Sequence, residues 1–290
     1  MSFDLVRATR EFRCRGKFRG HAPHSFYPSE ASVVIQDENG QKKVLGGCIR
    51  AAYFRCTSQD RRKRDDRSQT IAELGKAAED MLVEDWKRMG IFVDRAVRFE
   101  NRDFNIRGEI DVVLREPDTG TLFGVECKSI YGYRADAEVF GNSRRIGRPK
   151  VNHLLQTLVY TSEFMSRLAY FKMYYIDRGD GQEGQFDISV QTTEEDGKTV
   201  KVGLIDGEEI KLFTVDDIYG RFTELKQYLD KNITPAPDYE LYYSDGKIEF
   251  LHQTGEISKS KYEKFRKKGE SERPGDWQCR YCNYKDICWV

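Results

Sequence analysis

The sequence predicts an α/β domain with a mixed sheet flanked by helices, and three observations carry that prediction. One is the order of elements, which between about residues 70 and 180 reads helix, three strands, helix, strand. Another is the pair of runs "FNIRGEIDVVL" and "TLFGVECKS". They are joined by "REPDTG", where Pro117, Asp118 and Gly120 supply turn chemistry, so they form a hairpin. The last is helical spacing. Ile71, Leu74, Ala78, Met81, Leu82 and Trp86 fall on one face of a helix that stops near Gly90.

The remaining elements follow in order. Residues 1–47 read as irregular, with turn-forming "HAPHSFYPSE" and "QDENGQKK"; His21 and His24 read as surface residues there. A helix is expected around "CIRAAYFRC". The charge run "RRKRDDRSQ" at 61–69 reads as a solvated loop or helix end. "RAVRFE" precedes the hairpin as a strand, and "YGYRADAEVFGNSRRIGRPK" follows it as a polar loop. Next come a helix at "VNHLLQTLVYTSEFMS", a strand at "LAYFKMYYIDRG", a second hairpin and a helix at "TVDDIYGRFTELKQYLD". From about 238 the tail reads as mostly irregular. The 290 residues are therefore expected to form one domain, with a core at about 70–230.

Hydrophobic residues make up 39% and charged residues 33%, which predicts a soluble chain with a core. No apolar run could span a membrane, and "MSFDLVRATREFRCRG" has no secretory h-region, so a cytoplasmic location is expected. Basic and acidic residues balance at 48 each. That total gives no general attraction to nucleic acid but permits a local basic groove. The seven cysteines are odd in number, which argues against a disulfide framework.

The first hairpin holds an anomaly, because Asp111, Glu126 and Lys128 interrupt apolar strands. Glu126 and Lys128 project to one side of their strand, while Val125 and Cys127 face the other. Asp111 can reach them from the neighbouring strand. Two adjacent carboxylates repel unless a cation neutralises them. Mg²⁺ does so through oxygen ligands, often with one or two carboxylates and a substrate phosphate. Lys128 is then placed to polarise a water or to stabilise a pentavalent phosphate. The plainer reading is a half-exposed hairpin with a charged polar face.

Two flanking helices favour the chemical reading. Gly75-Lys-Ala-Ala-Glu79 offers a third acid, and Gln156 and Tyr160 share one helical face. Together Gly108-Glu-Ile-Asp111, Glu126-Cys127-Lys128 and Gln156-x3-Tyr160 resemble the RecB-like branch of the PD-(D/E)xK nuclease superfamily, over about residues 70–180. The resemblance implies a restriction-endonuclease-like core. It implies Mg²⁺ or Mn²⁺ held by Asp111, Glu126 and the Cys127 backbone carbonyl, with Lys128 as the catalytic lysine. Gln156 and Tyr160 would orient the site and the DNA. That branch usually has histidine where this chain has Glu79; Glu73 and Asp80 compete for the role, but only Glu79 keeps the glycine spacing.

Cys279-x2-Cys282-x5-Cys288 has metal-type spacing and needs a fourth ligand. "GGCIRAAYFRC" resembles the N-terminal cysteine segment of CRISPR-associated four-cysteine nucleases and AddB-type nuclease domains. That resemblance implies a structural [4Fe–4S] cluster on Cys48, Cys279, Cys282 and Cys288, from elements at about 45–58 and 275–290. Cys56 is the alternative fourth ligand, and Zn²⁺ the alternative metal. Cys14 and Cys127 read as structural.

Arg144, Arg145, Arg148 and Lys150 lie just before the Gln156 helix, where they could neutralise phosphates; so could "RRKRDDR", just before the Glu79 helix. Tyr131 and Tyr133 could stack on bases. A solvated loop is the alternative for each. The expected function is a metal-dependent DNase, an exonuclease on single-stranded DNA ends. Its rivals are a structure-specific endonuclease and a DNA-binding subunit of a CRISPR adaptation, repair or recombination complex.

Overall fold

The computed structural model describes residues 25–37, 40–57, 66–195 and 197–289. Cys14, His21, His24 and most of the 61–69 charge run lie outside them.

A hairpin comes first, β1 (Ser32–Gln36) against β2 (Lys42–Gly46), then α1 (Ile49–Thr57) and the long α2 (Asp66–Arg88). Three strands follow: β3 (Phe92–Asn101), β4 (Ile106–Arg115) and β5 (Leu122–Ile130). Next are α3 (Tyr133–Val139), a short hairpin of β6 (Gly141–Asn142) and β7 (Arg145–Ile146), and α4 (Val151–Phe164). Then come β8 (Phe171–Asp177), β9 (Glu183–Glu195), β10 (Lys198–Ile205), β11 (Glu208–Glu209) and α5 (Val215–Asp230). The chain closes with α6 (Asp245–Gln253), α7 (Lys259–Lys268), α8 (Trp277–Arg280) and α9 (Lys285–Cys288).

The main sheet has seven strands in the order β11-β10-β9-β8-β5-β4-β3. Only β5 and β8 are parallel, because the chain between them crosses over through α3 and α4. The other pairs are antiparallel hairpin neighbours. The larger core packs α4 and α5 against one face, around Leu155, Leu158, Phe171 and Ile218. A smaller core on the other face packs Leu82, Val83 and Trp86 of α2 on Val112, Leu114, Phe123 and Val125. Each fully buried aliphatic or aromatic side chain of this kind contributes roughly 1.5–3 kcal/mol by leaving water.

One feature of register positions the chemistry. β4 and β5 pair from Arg115↔Leu122 to Val112↔Val125, and there the ladder ends. β4 continues against β3 down to Ile106↔Asn101, and β5 continues against β8 up to Ile130↔Asp177. The two strands therefore part where Asp111 and Glu126 stand.

Three sequence expectations need correction. Residues 25–47 are not irregular: Val33, Val34 and Ile35 pair with Leu45, Val44 and Lys43. The turn letters between them are a hairpin turn, in which Asp37 accepts from Gly40 N–H and Gln41 N–H. The loop at 131–150 contains α3 and a hairpin, whose close turn requires Gly141 at φ 79°; a Cβ there would meet Arg145 O at 2.5 Å. The tail is largely helical. Ser244 and Ser258 cap α6 and α7 by accepting from Lys247 N–H and Lys261 N–H. Ile248, Ile257 and Phe265 then form a small core of their own.

The tail is tied back by one buried ion pair. Arg221 of α5 donates twice to Asp238, at 2.8 Å each, and its Nε donates to Ser32. Asp238 also accepts from Ile49 N–H at 2.7 Å, the residue after Cys48. Tyr239 OH donates to Gly46 O at 2.8 Å. These bonds fix the start of α1 against the C-terminal segment.

Candidate active site

Asp111 does at the strand split what the missing ladder bond would have done. Its Oδ2 accepts from Cys127 N–H at 2.8 Å. Glu126 is 2% exposed, and its Oε1 accepts from Lys128 Nζ at 2.7 Å. Lys128 also donates to Gln156 Oε1 at 3.1 Å. Gln156 Nε2 donates to Glu126 Oε1 at 2.9 Å and to Tyr160 OH at 3.1 Å. The ammonium on one side and the carboxylate on the other fix the orientation of the Gln156 amide. Residues 156 and 160 are one turn apart on α4, so the i,i+4 spacing builds this chain of bonds.

Glycines admit the close packing. A Cβ on Gly108 would meet the Phe99 ring at 2.4 Å and the Tyr160 ring at 3.0 Å. The glycine thus lets Tyr160 lie flush against β4. Gly75 brings α2 close to Ser129, where a Cβ would stand 3.3 Å from the hydroxyl.

The charges are not balanced. Burial, then the charge of Glu126, holds the Asp111 carboxyl well above the usual carboxylate range. Burial also raises Glu126, against the opposing pull of Lys128. Burial disfavours the Lys128 charge, but the neighbouring Glu126 and Asp111 carboxylates outweigh it, and the amine is held above its usual range. Lys128 is therefore favoured as an ammonium beside Glu126, while burial and mutual repulsion favour the protonated form of the Asp111 carboxyl. One atom has no partner here: Glu126 Oε2 is buried without a hydrogen bond. An acceptor so placed, beside a second carboxylate, fits a divalent cation that takes oxygen ligands.

Glu79 does not join this set. Its Oε1 accepts from Arg95 at 2.6 Å and from Lys76 at 2.8 Å, although its charge is felt at both Asp111 and Glu126. Asp80 is drawn to the same Arg95. Among the described residues, no three His, Cys, Asp or Glu side chains are grouped as a set that could hold a metal ion. Cys127 packs on the α2 side of the sheet.

Sequence reasoning missed Arg95 and His153. His153 lies three residues before Gln156 on the same helical face, and that spacing was the available signal. Burial, then Lys128 and Lys150, lowers its pKa to about 3, so it is neutral. Its Nδ1 faces Tyr175 OH at 3.0 Å, and Lys150 N–H donates to that hydroxyl at 3.2 Å. Of the expected DNA contacts, Lys150 reaches this group through its backbone. Arg144, Arg145 and Arg148 are exposed around the β6–β7 hairpin, Lys150 is half-buried, and Tyr131 and Tyr133 are exposed.

The cysteines at the two ends line a separate cavity, but among the described residues they are not grouped as a set that could hold a metal ion. Cys48, Cys279, Cys282 and Cys288 line one cavity of about 290 Å³ with Phe54 and Tyr284. Burial raises all four thiols, Cys279 to about 12, and Cys279 feels the charges of Cys48 and Cys288. Cys56 does not line this cavity; it is buried in the larger core.

The profile of the PD-(D/E)XK nuclease superfamily matches residues 34–289. The chain belongs to this superfamily. PD-(D/E)XK proteins are typically nucleases that hydrolyse phosphodiesters with Mg²⁺ or Mn²⁺, and the seven-stranded mixed sheet flanked by helices is consistent with their fold. No curated protein sequence matches the chain. A solved structure titled "Crystal structure of SSO0001" is similar over 99% of this PD-(D/E)XK chain and 98% of that one. The identity is 12% and the TM-score 0.47. No helix among the described residues is long and apolar enough to cross a membrane.

Proposed function

We propose that this PD-(D/E)XK chain is a DNase that acts as an exonuclease on single-stranded ends, with its chemistry at Asp111, Glu126 and Lys128. The observation that carries the reading is the bonded run Tyr160–Gln156–Glu126–Lys128 beside a split strand pair, with Glu126 Oε2 left unpartnered. Asp111 and Glu126 would hold the divalent ion, with the Cys127 carbonyl beside them. When bound, that ion supplies a more acidic water and charge stabilisation at the phosphate. Lys128, kept protonated by its carboxylate neighbours, donates to the phosphoryl oxygens as charge builds on them. Gln156 holds Lys128 and Glu126 at fixed spacing, and Tyr160 anchors Gln156. Glu79 would join the ion by exchanging its bonds to Arg95 and Lys76.

The cysteine cavity supports a second part of the reading, a structural [4Fe–4S] cluster on Cys48, Cys279, Cys282 and Cys288. The four cysteines line one cavity, and the Arg221–Asp238 pair holds the Cys48 end in place, Asp238 accepting from Ile49 N–H; zinc remains the alternative metal. Partners in recombination, repair or CRISPR adaptation belong to the same reading.

The test is cleavage of end-labelled single-stranded and duplex DNA in Mg²⁺ and in EDTA, using protein purified without air. Progressive shortening of the single strand, lost in EDTA, is expected. A discrete internal cut in a branched duplex favours an endonuclease. Binding without cleavage at any divalent metal would leave a DNA-binding subunit.

A further inference from the structure

The segment from Val139 to Lys150 holds four basic residues and no acid, and its middle is the β6–β7 hairpin. Arg144, Arg145 and Arg148 are exposed there, and among the described residues none of them has a carboxylate at ion-pair distance. Between Arg145 and Arg148 stands Ile146. At 84% exposed it is the most exposed large hydrophobic side chain of the described residues. The hairpin is firmly built. Arg144 N–H donates to Asn142 Oδ1 at 2.9 Å across the turn, and Arg148 N–H donates to Glu138 O at 2.8 Å across the base. A Cβ on Gly147 would collide with Val139 O, so the base closes backbone to backbone.

That base is fastened to the row of the sheet that carries Lys128. Tyr175 of β8 is the register partner of Lys128, and Gly184 of β9 is the partner of Tyr175. After the hairpin, Lys150 N–H donates to Tyr175 OH at 3.2 Å. Before it, Phe140 lies on Gly184, where a Cβ would meet the ring at 3.0 Å. Neighbouring strands are about 4.8 Å apart, so the two anchors sit on strands about 5 and about 10 Å from the Lys128 backbone. The reacting groups themselves are recessed: the Glu126 side chain is 2% exposed and that of Lys128 18%. A site so recessed admits a lone strand, and a duplex must part before one of its strands can enter.

We propose that the β6–β7 hairpin is a wedge for the junction between single-stranded and duplex DNA, with Ile146 as the inserted residue. It rests on the nuclease reading for DNA as the ligand, and adds Ile146 and the duplex boundary to that reading. Ile146 enters against the first base pair and unstacks it, as apolar side chains do when they part base steps. Arg144, Arg145 and Arg148 hold the phosphates of the parting strands. The firm turn keeps Ile146 outward, and the anchors at Tyr175 and Gly184 keep the hairpin beside the Lys128 row. A strand consumed from its single-stranded end would thus be opened at the point where it becomes duplex.

The test uses a duplex with one single-stranded tail and 2-aminopurine in the first base pair, a base whose fluorescence is quenched by stacking. The full chain is added in EDTA to saturation. Wild type should brighten the junction probe several-fold and leave a probe deep inside the duplex dark. Ile146→Ser should lose most of that rise at saturation, and Ile146→Leu should keep it. Arg144→Ala/Arg145→Ala should lower the salt slope of binding to the tailed duplex by about 1.4–1.8, the loss of two phosphate contacts. No rise with wild type, an equal rise with Ile146→Ser, or a wild-type slope in the arginine pair overturns the wedge. These side chains are exposed, so their replacement removes no core packing, and a melting curve shows that each variant is folded. Because no cleavage is measured, an inactive chain that brightens the junction through Ile146 defeats the nuclease reading alone. An active nuclease whose junction probe stays dark defeats the wedge alone.

Discussion

The carboxylate pocket and the cysteine cavity are organised in opposite ways. In the pocket, side chains hold one another: Lys128 is bonded to Glu126 and Gln156, and Gln156 to Tyr160. The four cysteines are among the residues that line a cavity of about 290 Å³, and what holds them is the chain around them. The pocket keeps its shape through its own hydrogen bonds. On the proposed cluster reading the cavity would depend on its occupant as well, because metal-binding energy is then folding energy. The lesson is that removing a pocket residue should affect turnover first, and removing a cavity residue should affect folding first.

The largest expected effect is therefore in the cavity. Cys48→Ser, Cys279→Ser, Cys282→Ser or Cys288→Ser should give colourless, protease-sensitive protein, since structural metal sites contribute on the order of 10 kcal/mol to folding. Cys56→Ser should stay brown. Iron content and limited proteolysis read both outcomes, and soluble, stable Cys279→Ser protein would erase the contrast.

Next is the tie between the two ends. Asp238→Ala leaves the buried Arg221 with only the exposed Glu224 as its carboxylate and should cost up to about 3 kcal/mol, together with lower iron content. Chemical denaturation measures the first effect and iron analysis the second. Normal iron in a destabilised variant would show that the pair does not position Cys48.

A pH experiment sharpens the pocket side. The Asp111 carboxyl is held well above its unfolded value of about 3.9. Between those two values the native chain binds more protons than the unfolded chain, so stability falls as pH rises. Metal-free wild type should therefore lose melting temperature relative to Asp111→Asn as pH rises from about 4 through the raised value. Mg²⁺ should restore it, most at the higher pH. Parallel curves for the two proteins would mean that Asp111 is ionised without metal.

The smallest effect concerns Glu79, whose carboxylate is engaged by Arg95 and Lys76. Glu79→Ala should raise the Mg²⁺ concentration needed for half-maximal cleavage several-fold. Glu73→Ala should match wild type. Because histidine is a borderline nitrogen ligand, Glu79→His should shift preference toward Mn²⁺. An unchanged Mg²⁺ titration in Glu79→Ala would confine Glu79 to its ion pairs.

The sheet around the pocket was legible because its strands alternate and its motifs fall in order. The strand split was not legible: it depends on where β4 stops pairing with β5, and no local letter encodes that. The β1–β2 hairpin was hidden by its own turn residues, which drew the reading of the whole segment toward loop. The helical tail was hidden by charge. Lys259–Lys268 is so basic that its single buried face, at Phe265, is a weak signal. The four cysteines that share the cavity were legible from spacing and resemblance, because thiols are rare. The Arg221–Asp238 pair that supports them was not, because arginine and aspartate are common and their partner is set only by the fold. Arg95, which pairs with Glu79, was invisible for the same reason.

The claim that hydrolysis is centred on Asp111, Glu126 and Lys128 is met most directly by Lys128→Met. Methionine fills similar space and removes the one cation beside the two carboxylates. Metal binding and single-strand cleavage should be measured on the same preparation. Mn²⁺ should bind at least as tightly as to wild type, while turnover falls by roughly 10²–10³. Turnover within threefold of wild type, with metal binding intact, would contradict that claim and move the chemistry elsewhere.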